Sequence, residues 1–272
     1  MSKPVQIAIL GASGRMGATL LRCLPEFPGL LLRGASTAPE SGLVGQDVGE
    51  VAGLAPAGLP LVDSAAAALA DAEIAVDFTL AGAVAENAEA CRRTGVGLVC
   101  GVTGLGEEAR AALARAAETV PVLWAPNMSA GVAVLQRLAT LAAAALGEFD
   151  AGVHEVHHAA KRDAPSGTAL ALGRAVVTGR GAPSGAAEPD RQLRAPGLAY
   201  SAQRLGDVVG DHTLTLAGPG ERLELTHRAT DRAIFARGAL RAATWLAGRA
   251  PGSYLLGDVL GLGRVDTPAD GK

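Results

Sequence analysis

The sequence predicts an α/β protein with an N-terminal Rossmann-like dinucleotide-binding domain plus an α+β substrate domain carrying an open mixed sheet. Three observations predict it. Short β-rich apolar runs alternate with helical stretches through about residue 127, the signature of right-handed βαβ units in a parallel sheet. A glycine turn, Gly11 to Gly17, stands between the first run and the first helix. Beyond about residue 128 the alternation stops, and period-two segments flank Gly218-Pro219-Gly220, the pattern of an antiparallel hairpin.

Taken in order, Val5–Leu10 is a β-rich run bounded by Pro4 and Gly11 and reads as a buried strand. The glycine turn follows, and Ala18–Leu24 continues as a helix until Pro25. Leu30–Ala35 reads as a second strand, and scattered Gly and Pro up to Pro60 mark a loop-rich stretch. Ala65–Ala70 is helical, Ile74–Phe78 a strand, Ala83–Thr94 a helix, Gly97–Cys100 a strand, Glu107–Thr119 a helix and Pro121–Trp124 a strand. A long Ala/Leu-rich helix runs from Gly131 to Leu146, before a strand-like Gly152–Val156. Gly179–Pro196 is rich in Gly, Pro and charge and reads as a loop. His212–Ala217 and Arg222–His227 form the hairpin, and the helical Gly238–Ala247 returns to the first domain. The expected domains are residues 1–127, completed by 239–272, and 128–238.

Composition narrows the function. The net charge is −3 and only 3% of residues are aromatic. No basic field and few stacking platforms are left for nucleic acid. The most apolar helical stretch, Val132 to Leu146, is interrupted by Gln136 and Arg137 and is too short to span a bilayer. Cys23, Cys91 and Cys100 show neither metal nor disulfide spacing. The N-terminus shows no charged region with a cleavage site. A reducing cytoplasm is the expected compartment.

Two stretches carry chemistry. Gly11-Ala12-Ser13-Gly14-Arg15-Met16-Gly17 allows a pyrophosphate close to backbone, at a helix N-terminus. Its spacing is GxxGxxG, so position rather than the motif carries the reading. The acid that holds a ribose 2′-OH roughly 20 residues on is absent from Ala35-Ser36-Thr37-Ala38. No adjacent Arg stands there to attract a 2′-phosphate, and the choice between NADH and NADPH stays open.

The second stretch is His157-His158-Ala159-Ala160-Lys161-Arg162-Asp163-Ala164-Pro165-Ser166-Gly167-Thr168-Ala169. Two imidazoles and two cations precede a helix start, with Asp163 and Ser166 as caps and Pro165 in the first turn. Amides at Gly167 and Thr168, and the Lys161 ammonium, suit a carboxylate. Either imidazole suits proton transfer near neutral pH. A metal held by His154, His157 and His158, with Glu155 and Asp163 nearby, competes poorly, because 154 and 158 share one strand face while 157 takes the other. No metal is expected.

With these residues in view, the chain resembles the 4-hydroxy-tetrahydrodipicolinate reductase (dihydrodipicolinate reductase) family over nearly its full length. The glycine turn with Arg15-Met16, Asp77-Phe78-Thr79, Gly101-Val102-Thr103-Gly104 and Ala125-Pro126-Asn127-Met128-Ser129-Ala130-Gly131 look like cofactor-domain signatures. The most specific is His157-His158-x-x-Lys161-x-Asp163-Ala164-Pro165-Ser166-Gly167-Thr168-Ala169. Arg204-x-Gly206-x-x-x-Gly210-x-His212 and Glu221…His227…Arg232…Phe235…Gly238 follow in the expected order.

The resemblance implies an NADH- or NADPH-dependent reduction of a small cyclic imine dicarboxylate in lysine and diaminopimelate biosynthesis, by a homotetramer. Gly11, Ala12, Ser13, Gly14, Arg15 and Met16 would hold the pyrophosphate. Gly101, Val102, Thr103, Ala125, Pro126, Asn127 and Met128 would line the nicotinamide end. His157 would be the acid/base and Lys161 a second proton donor and anchor, while His158, Gly167 and Thr168 would bind carboxylates. Three positions depart from the family pattern: Thr37 stands where many members carry an acid, Val102 replaces a frequent Thr, and Met128 a frequent Phe.

Two other functions compete with this one. A phosphorylating semialdehyde dehydrogenase needs a nucleophilic Cys and a distant His, and Cys100, inside the proposed cofactor loop, is a poor candidate. A nucleotide sensor would not need His157, His158 and Lys161 around an anion site.

Overall fold

The computed structural model describes residues 3–181 and 197–263. The chain divides into two compact units. One comprises Met1–Met128 and Ala233–Leu260; the other comprises Ser129–Arg232 and Gly261–Lys272, of which the last nine residues lie outside the described ones. The sequence placed the second crossing after residue 238. It falls at 232/233, because the helix there starts at Ala233 and runs unbroken to Leu246.

The first unit is built on β1 (Val5–Leu10), α1 (Arg15–Cys23), β2 (Leu30–Ser36), α2 (Val48–Val51), α3 (Ala65–Ala68), β3 (Ile74–Asp77), α4 (Val84–Thr94), β4 (Gly97–Cys100), α5 (Glu107–Ala117) and β5 (Pro121–Trp124). In the second unit, α6 (Ala130–Ala145), β6 (Asp150–His157), α7 (Gly167–Gly179), β7 (Leu198–Arg204), β8 (Gly210–Gly218) and β9 (Glu221–Ala229) follow. The chain then returns to the first unit with α8 (Ala233–Leu246), β10 (Gly252–Tyr254) and α9 (Leu256–Val259).

Six strands of the first unit lie in the order β10-β5-β4-β3-β1-β2, every pair parallel. β3 and β4 are buried along their whole length, as strands covered by helices on both faces must be. That explains why Ile74-Ala75-Val76 and Leu98-Val99 read as continuous apolar runs. The order reverses between β1 and β3, and ligands of such sheets bind beyond the carboxyl ends of the strands at this switch point. The core packs β1, β3, β4 and β5 against α3, α4 and α5, with Leu10, Leu98, Ala88 and Ala116 fully buried. Burial of each such Leu contributes roughly 1.5–3 kcal/mol.

The sheet of the second unit has the order β7-β6-β8-β9, with β6 parallel to β7 and the other pairs antiparallel. It is therefore mixed. Gly220 takes φ +81°, the left-handed conformation that closes the β8–β9 turn. On β6 residues alternate strictly, so Ala151, Val153, Glu155 and His157 face inward together. Ala151 and Val153 pack with Leu214 and Leu216 of β8, Leu135 and Ala139 of α6, and Leu172 and Val176 of α7. The helix α7 extends well beyond the start that the sequence marked, and β7 and β10 were not anticipated. The expected loop Gly179–Pro196 has Gly179 as the last residue of α7, and 182–196 lie outside the described residues.

No helix among the described residues is long and apolar enough to cross a membrane.

Candidate active site

In the first unit, the loops that follow β1, β2, β3, β4 and β5 lie at the carboxyl ends of a parallel sheet. The turn after β1 is tighter than the sequence suggested, since α1 already begins at Arg15. Gly11 takes φ +76°, and Gly14 N–H bonds back to Gly11 O at 3.1 Å. Gly14 is the N-cap of α1, which has no side-chain cap and no acid in its first turn. Each glycine has a distinct task. A Cβ on Gly11 would lie 3.1 Å from Thr79 Cγ2 and 3.2 Å from Phe78 O; one on Gly17 would lie 2.4 Å from both Ala12 O and Gly11 O. Only bare backbone fits, and the cradle it makes suits a pyrophosphate at a helix N-terminus.

Around that cradle, Ala12 and Thr37 are buried, Gly14 and Arg15 exposed, and Gly11, Ser13 and Met16 half-buried. The Thr37 hydroxyl bonds to Ser13 Oγ at 2.6 Å and to Ser41 Oγ at 3.0 Å, which ties the turn after β1 to the end of β2. Asp77, fully buried, is held by the Thr79 amide and hydroxyl and by Asn87 Nδ2. Burial raises its carboxyl above the usual range despite these bonds. After β4, Gly101 packs so closely on Phe78 that a Cβ would meet the ring at 2.3 Å. Trp124 Nε1 donates to Val102 O at 3.0 Å. Val102, Ala125 and Met128 are buried; Thr103 and Pro126 are exposed and Asn127 half-buried. Residues and spacing here fit a dinucleotide.

Cys100 is fully buried, and burial pushes its thiol up to about 12, with Asp77 adding to the effect. Such a thiol is no nucleophile at neutral pH, which removes the semialdehyde dehydrogenase reading. All three cysteines are buried, and none is joined in a disulfide.

The second unit holds a buried cluster of ionisable groups. His157 ends β6, is 8% exposed, and sits two residues from Glu155 on the same inward face. Its Nδ1 hydrogen-bonds Glu155 Oε2. Glu155 is wholly buried, and Arg204 of β7 donates to both its oxygens, NH1 to Oε2 at 3.1 Å and NH2 to Oε1 at 2.9 Å. The Ser166 amide donates to Oε1 at 3.1 Å. Burial alone would raise the Glu155 carboxyl; hydrogen bonds and charge from Arg204 and His157 outweigh it and hold it below the usual range. His157 is shifted down by burial, aided by Lys161 and Arg204 and opposed by Glu155. With both Glu155 oxygens already accepting from Arg204 and the Ser166 amide, the His157–Glu155 contact is Nδ1–H donating to a carboxylate.

Beyond His157 the chain leaves the strand. His158 is half-buried, and its carbonyl accepts from Lys161 N at 3.1 Å. Lys161 Nζ lies 2.8 Å from both oxygens of Asp163. Asp163 is thus the partner of Lys161 and not the expected helix cap. Ser166 alone caps α7, its Oγ accepting from Ala169 N at 3.2 Å. Pro165 precedes that cap rather than entering the first turn, which Gly167 and Thr168 open. The structure so brings His157, His158, Lys161, Gly167 and Thr168 into one short segment.

Sequence reasoning named Glu155 only as a neighbour of a metal site and Arg204 and His212 only within a motif. The available signal was strand parity, because an acid on an otherwise apolar inward face demands partners. His212 of β8 stacks edge-on against His157 at 5.0 Å between ring centres, and its Nε2 lies 3.1 Å from Ser166 Oγ. Donor atoms of Glu155, His157 and His212 come within 4.8 Å of one another, a different trio from the one considered from sequence. A guanidinium already occupies both oxygens of that carboxylate, so the trio does not fit a metal ion.

Comparison with known proteins agrees with both halves of this picture. Residues 5–128 match the family model described as dihydrodipicolinate reductase, N-terminus, and residues 131–260 the one described as dihydrodipicolinate reductase, C-terminus. The 4-hydroxy-tetrahydrodipicolinate reductase of Alkalilimnicola ehrlichii is 48% identical over 270 residues, covering 94% of this chain and 99% of that protein. That of Thiobacillus denitrificans is also 48% identical, over 271 residues, covering 95% and 99%. Among solved structures, a dipicolinate-bound dihydrodipicolinate reductase from Paenisporosarcina sp. TG-14 superposes with a TM-score of 0.75 at 22% identity, covering 93% of this chain and 97% of that one, which speaks to fold alone. With matches running through both units and across nearly all of each relative, this chain belongs to the dihydrodipicolinate reductase family.

Proposed function

We propose that this chain reduces 4-hydroxy-tetrahydrodipicolinate to tetrahydrodipicolinate with loss of water, using NADH or NADPH, in lysine and diaminopimelate biosynthesis. Similarity to relatives of that name, 48% identical along nearly the whole chain, supports the reaction. The observation that carries the chemistry is the buried His157, on one segment with Lys161 and the start of α7.

The backbone of Gly11, Ala12, Ser13 and Gly14, with Arg15 and Met16, holds the pyrophosphate, and Thr37 borders the adenosine ribose. Gly101, Val102, Thr103, Ala125, Pro126, Asn127 and Met128 line the nicotinamide end. When bound, the dihydronicotinamide supplies a hydride, the difficult part of the chemistry. The 4-hydroxyl leaves as water with a proton from the neighbouring ring carbon, hydride adds at C4, and one proton returns to that neighbour. His157 delivers this proton from Nε2, since Nδ1 is engaged with Glu155. A dianionic ring beside the imidazole favours its charged form, opposing the effect of burial.

Lys161 anchors one carboxylate and serves as a second donor. Its resting partner Asp163 is 60% exposed, so the pair is screened and readily exchanged for a substrate carboxylate. His158, Gly167 and Thr168 receive the carboxylates, with the helix N-terminus adding its partial positive charge. These cations and dipoles stabilise negative charge as hydride arrives.

A homotetramer in the cytoplasm completes the reading. The edge strand β9 has Leu223 38% exposed, and an edge of this kind invites pairing with another chain. Light scattering is expected to give four chain masses, and a smaller mass would overturn that assembly. The reaction itself is tested by following oxidation of NADH and of NADPH in parallel, with the imine made in situ by its synthase. Substrate-dependent oxidation of either cofactor is expected, and none with both would overturn the proposal.

A further inference from the structure

We infer that Glu155 is the positioning residue of His157: its carboxylate, fixed by Arg204 and the Ser166 amide, takes the Nδ1 hydrogen and reserves Nε2 for the transferred proton. The inference rests on the acid role of His157 given above and adds the group that makes the role specific.

A fully buried carboxylate is expensive unless every lone pair is used. Glu155 receives two bonds from Arg204, one from Ser166 N and one from His157 Nδ1, so both oxygens are filled. It has no freedom to rotate. Arg204 is fixed as well, because it stands opposite His157 in the β6–β7 register and donates to the carbonyls of Lys161, Asp163 and Gln203. One guanidinium thus locks the orienting carboxylate and the backbone that carries Lys161.

The consequence is a defined tautomer. With Nδ1 donating to Glu155, a neutral His157 keeps its lone pair on Nε2, and protonation occurs there. Space at that nitrogen is preserved by Gly210, where a Cβ would come 3.0 Å from Nε2. The His212 ring packs roughly perpendicular to that of His157, and its Nε2 pairs with Ser166 Oγ. The charged or titratable groups facing His157 are Glu155 on its own strand, Arg204 on β7, His212 on β8 and Lys161 on the following loop. Only Glu155 favours the imidazolium directly; burial, Lys161 and Arg204 oppose it.

Three readouts of Glu155→Gln test this. Turnover should fall by roughly 10- to 1,000-fold, with KM for the imine changed less than about threefold, as expected when an acid is misoriented while binding persists. The basic limb of the kcat profile, where His157 loses its proton, should move to lower pH, because an opposite charge has been removed. In a His157→Gln background, Glu155→Gln should cost almost nothing more. Equal losses in both backgrounds, or an unmoved limb, would show that Glu155 only supports the fold.

A tautomer measurement needs no variant. Nitrogen-15 NMR of imidazole-labelled wild-type protein should report the Nδ1–H form for His157, and the Nε2–H form overturns the inference even if Glu155→Gln fails to fold. Near-wild-type turnover of His157→Gln, with the Nδ1–H form intact, would instead remove the acid role and leave the orientation standing.

Discussion

The two units divide the chemistry between them with little overlap. All five histidines lie in the second unit, and all three cysteines in the first. Among the buried polar groups of the first unit, Ser36, Thr37 and Asp77 sit at strand ends, and Asn87 of α4 donates to Asp77. Those of the second include Glu155, His157, Ser166 and His212, a bonded network around one imidazole. The first unit offers backbone and shape, and the second offers protons and charge. A dinucleotide carries its own reactivity and needs only to be held, whereas proton delivery to a dianion needs ionisable side chains.

The sharpest way to break this comparison is His157→Gln. Turnover should fall on the order of 100- to 10,000-fold, while dinucleotide affinity, read by fluorescence titration, stays within about twofold. Equal damage to both would mean that the division of labour is false.

Acidification comes next. Burial, with the charge of His157 adding to it, holds His212 down to about 4 from 6.5, so the unfolded chain binds that proton more tightly than the folded one. Stability from this group is present above pH 6.5 and is lost as pH falls toward 4, on the order of 3 kcal/mol. His157 and His227, also lowered by burial, act in the same direction. Asp77 acts in the opposite one, because its raised carboxyl is relieved by protonation. Hydrogen exchange should therefore show β6 and β8 losing protection before β3 and β4 as pH drops from 7 to 4.5. Uniform loss would contradict the assignment.

Gly17→Ala probes the other side. Its Cβ meets two backbone oxygens at 2.4 Å, so the turn must shift, at a cost of about 1–3 kcal/mol. Dinucleotide affinity should weaken by about tenfold or more, with the pH dependence of turnover unchanged. The smallest effect is expected from thiol reagents. Cys91 and Cys100 are fully buried with raised thiols, and modification of the native protein at pH 8 should proceed at under a hundredth of the free-cysteine rate.

Much of the fold was legible because local signals and burial coincide. Gly97–Cys100 and Pro121–Trp124 are strands with the expected bounds, since a β-rich run between turn residues has no competing reading. Leu198–Arg204 escaped notice because Ser201, Ala202 and Gln203 give no apolar alternation on an exposed strand. Gly252–Tyr254 is too short to carry a period. At the site, residues contiguous in sequence were found, and the contacts that orient them were not. Arg204 reaches Glu155 across 49 positions, a pairing that only the β6–β7 register creates. Asp163 satisfied the rule for a helix cap, but a nearby ammonium competes for the same carboxylate and won.

The return of the chain through α8 bears on how the protein is made. This helix packs on α1, β3, β4 and β5, and Gly238 approaches Met128 so closely that a Cβ would lie 1.7 Å from its carbonyl oxygen. A ribosome delivers residues 1–128 long before Ala233. Until the second unit has emerged, the nascent parallel sheet lacks both this cover and its outermost strand β10. The segment that comes first off the ribosome is thus the later one to be sealed.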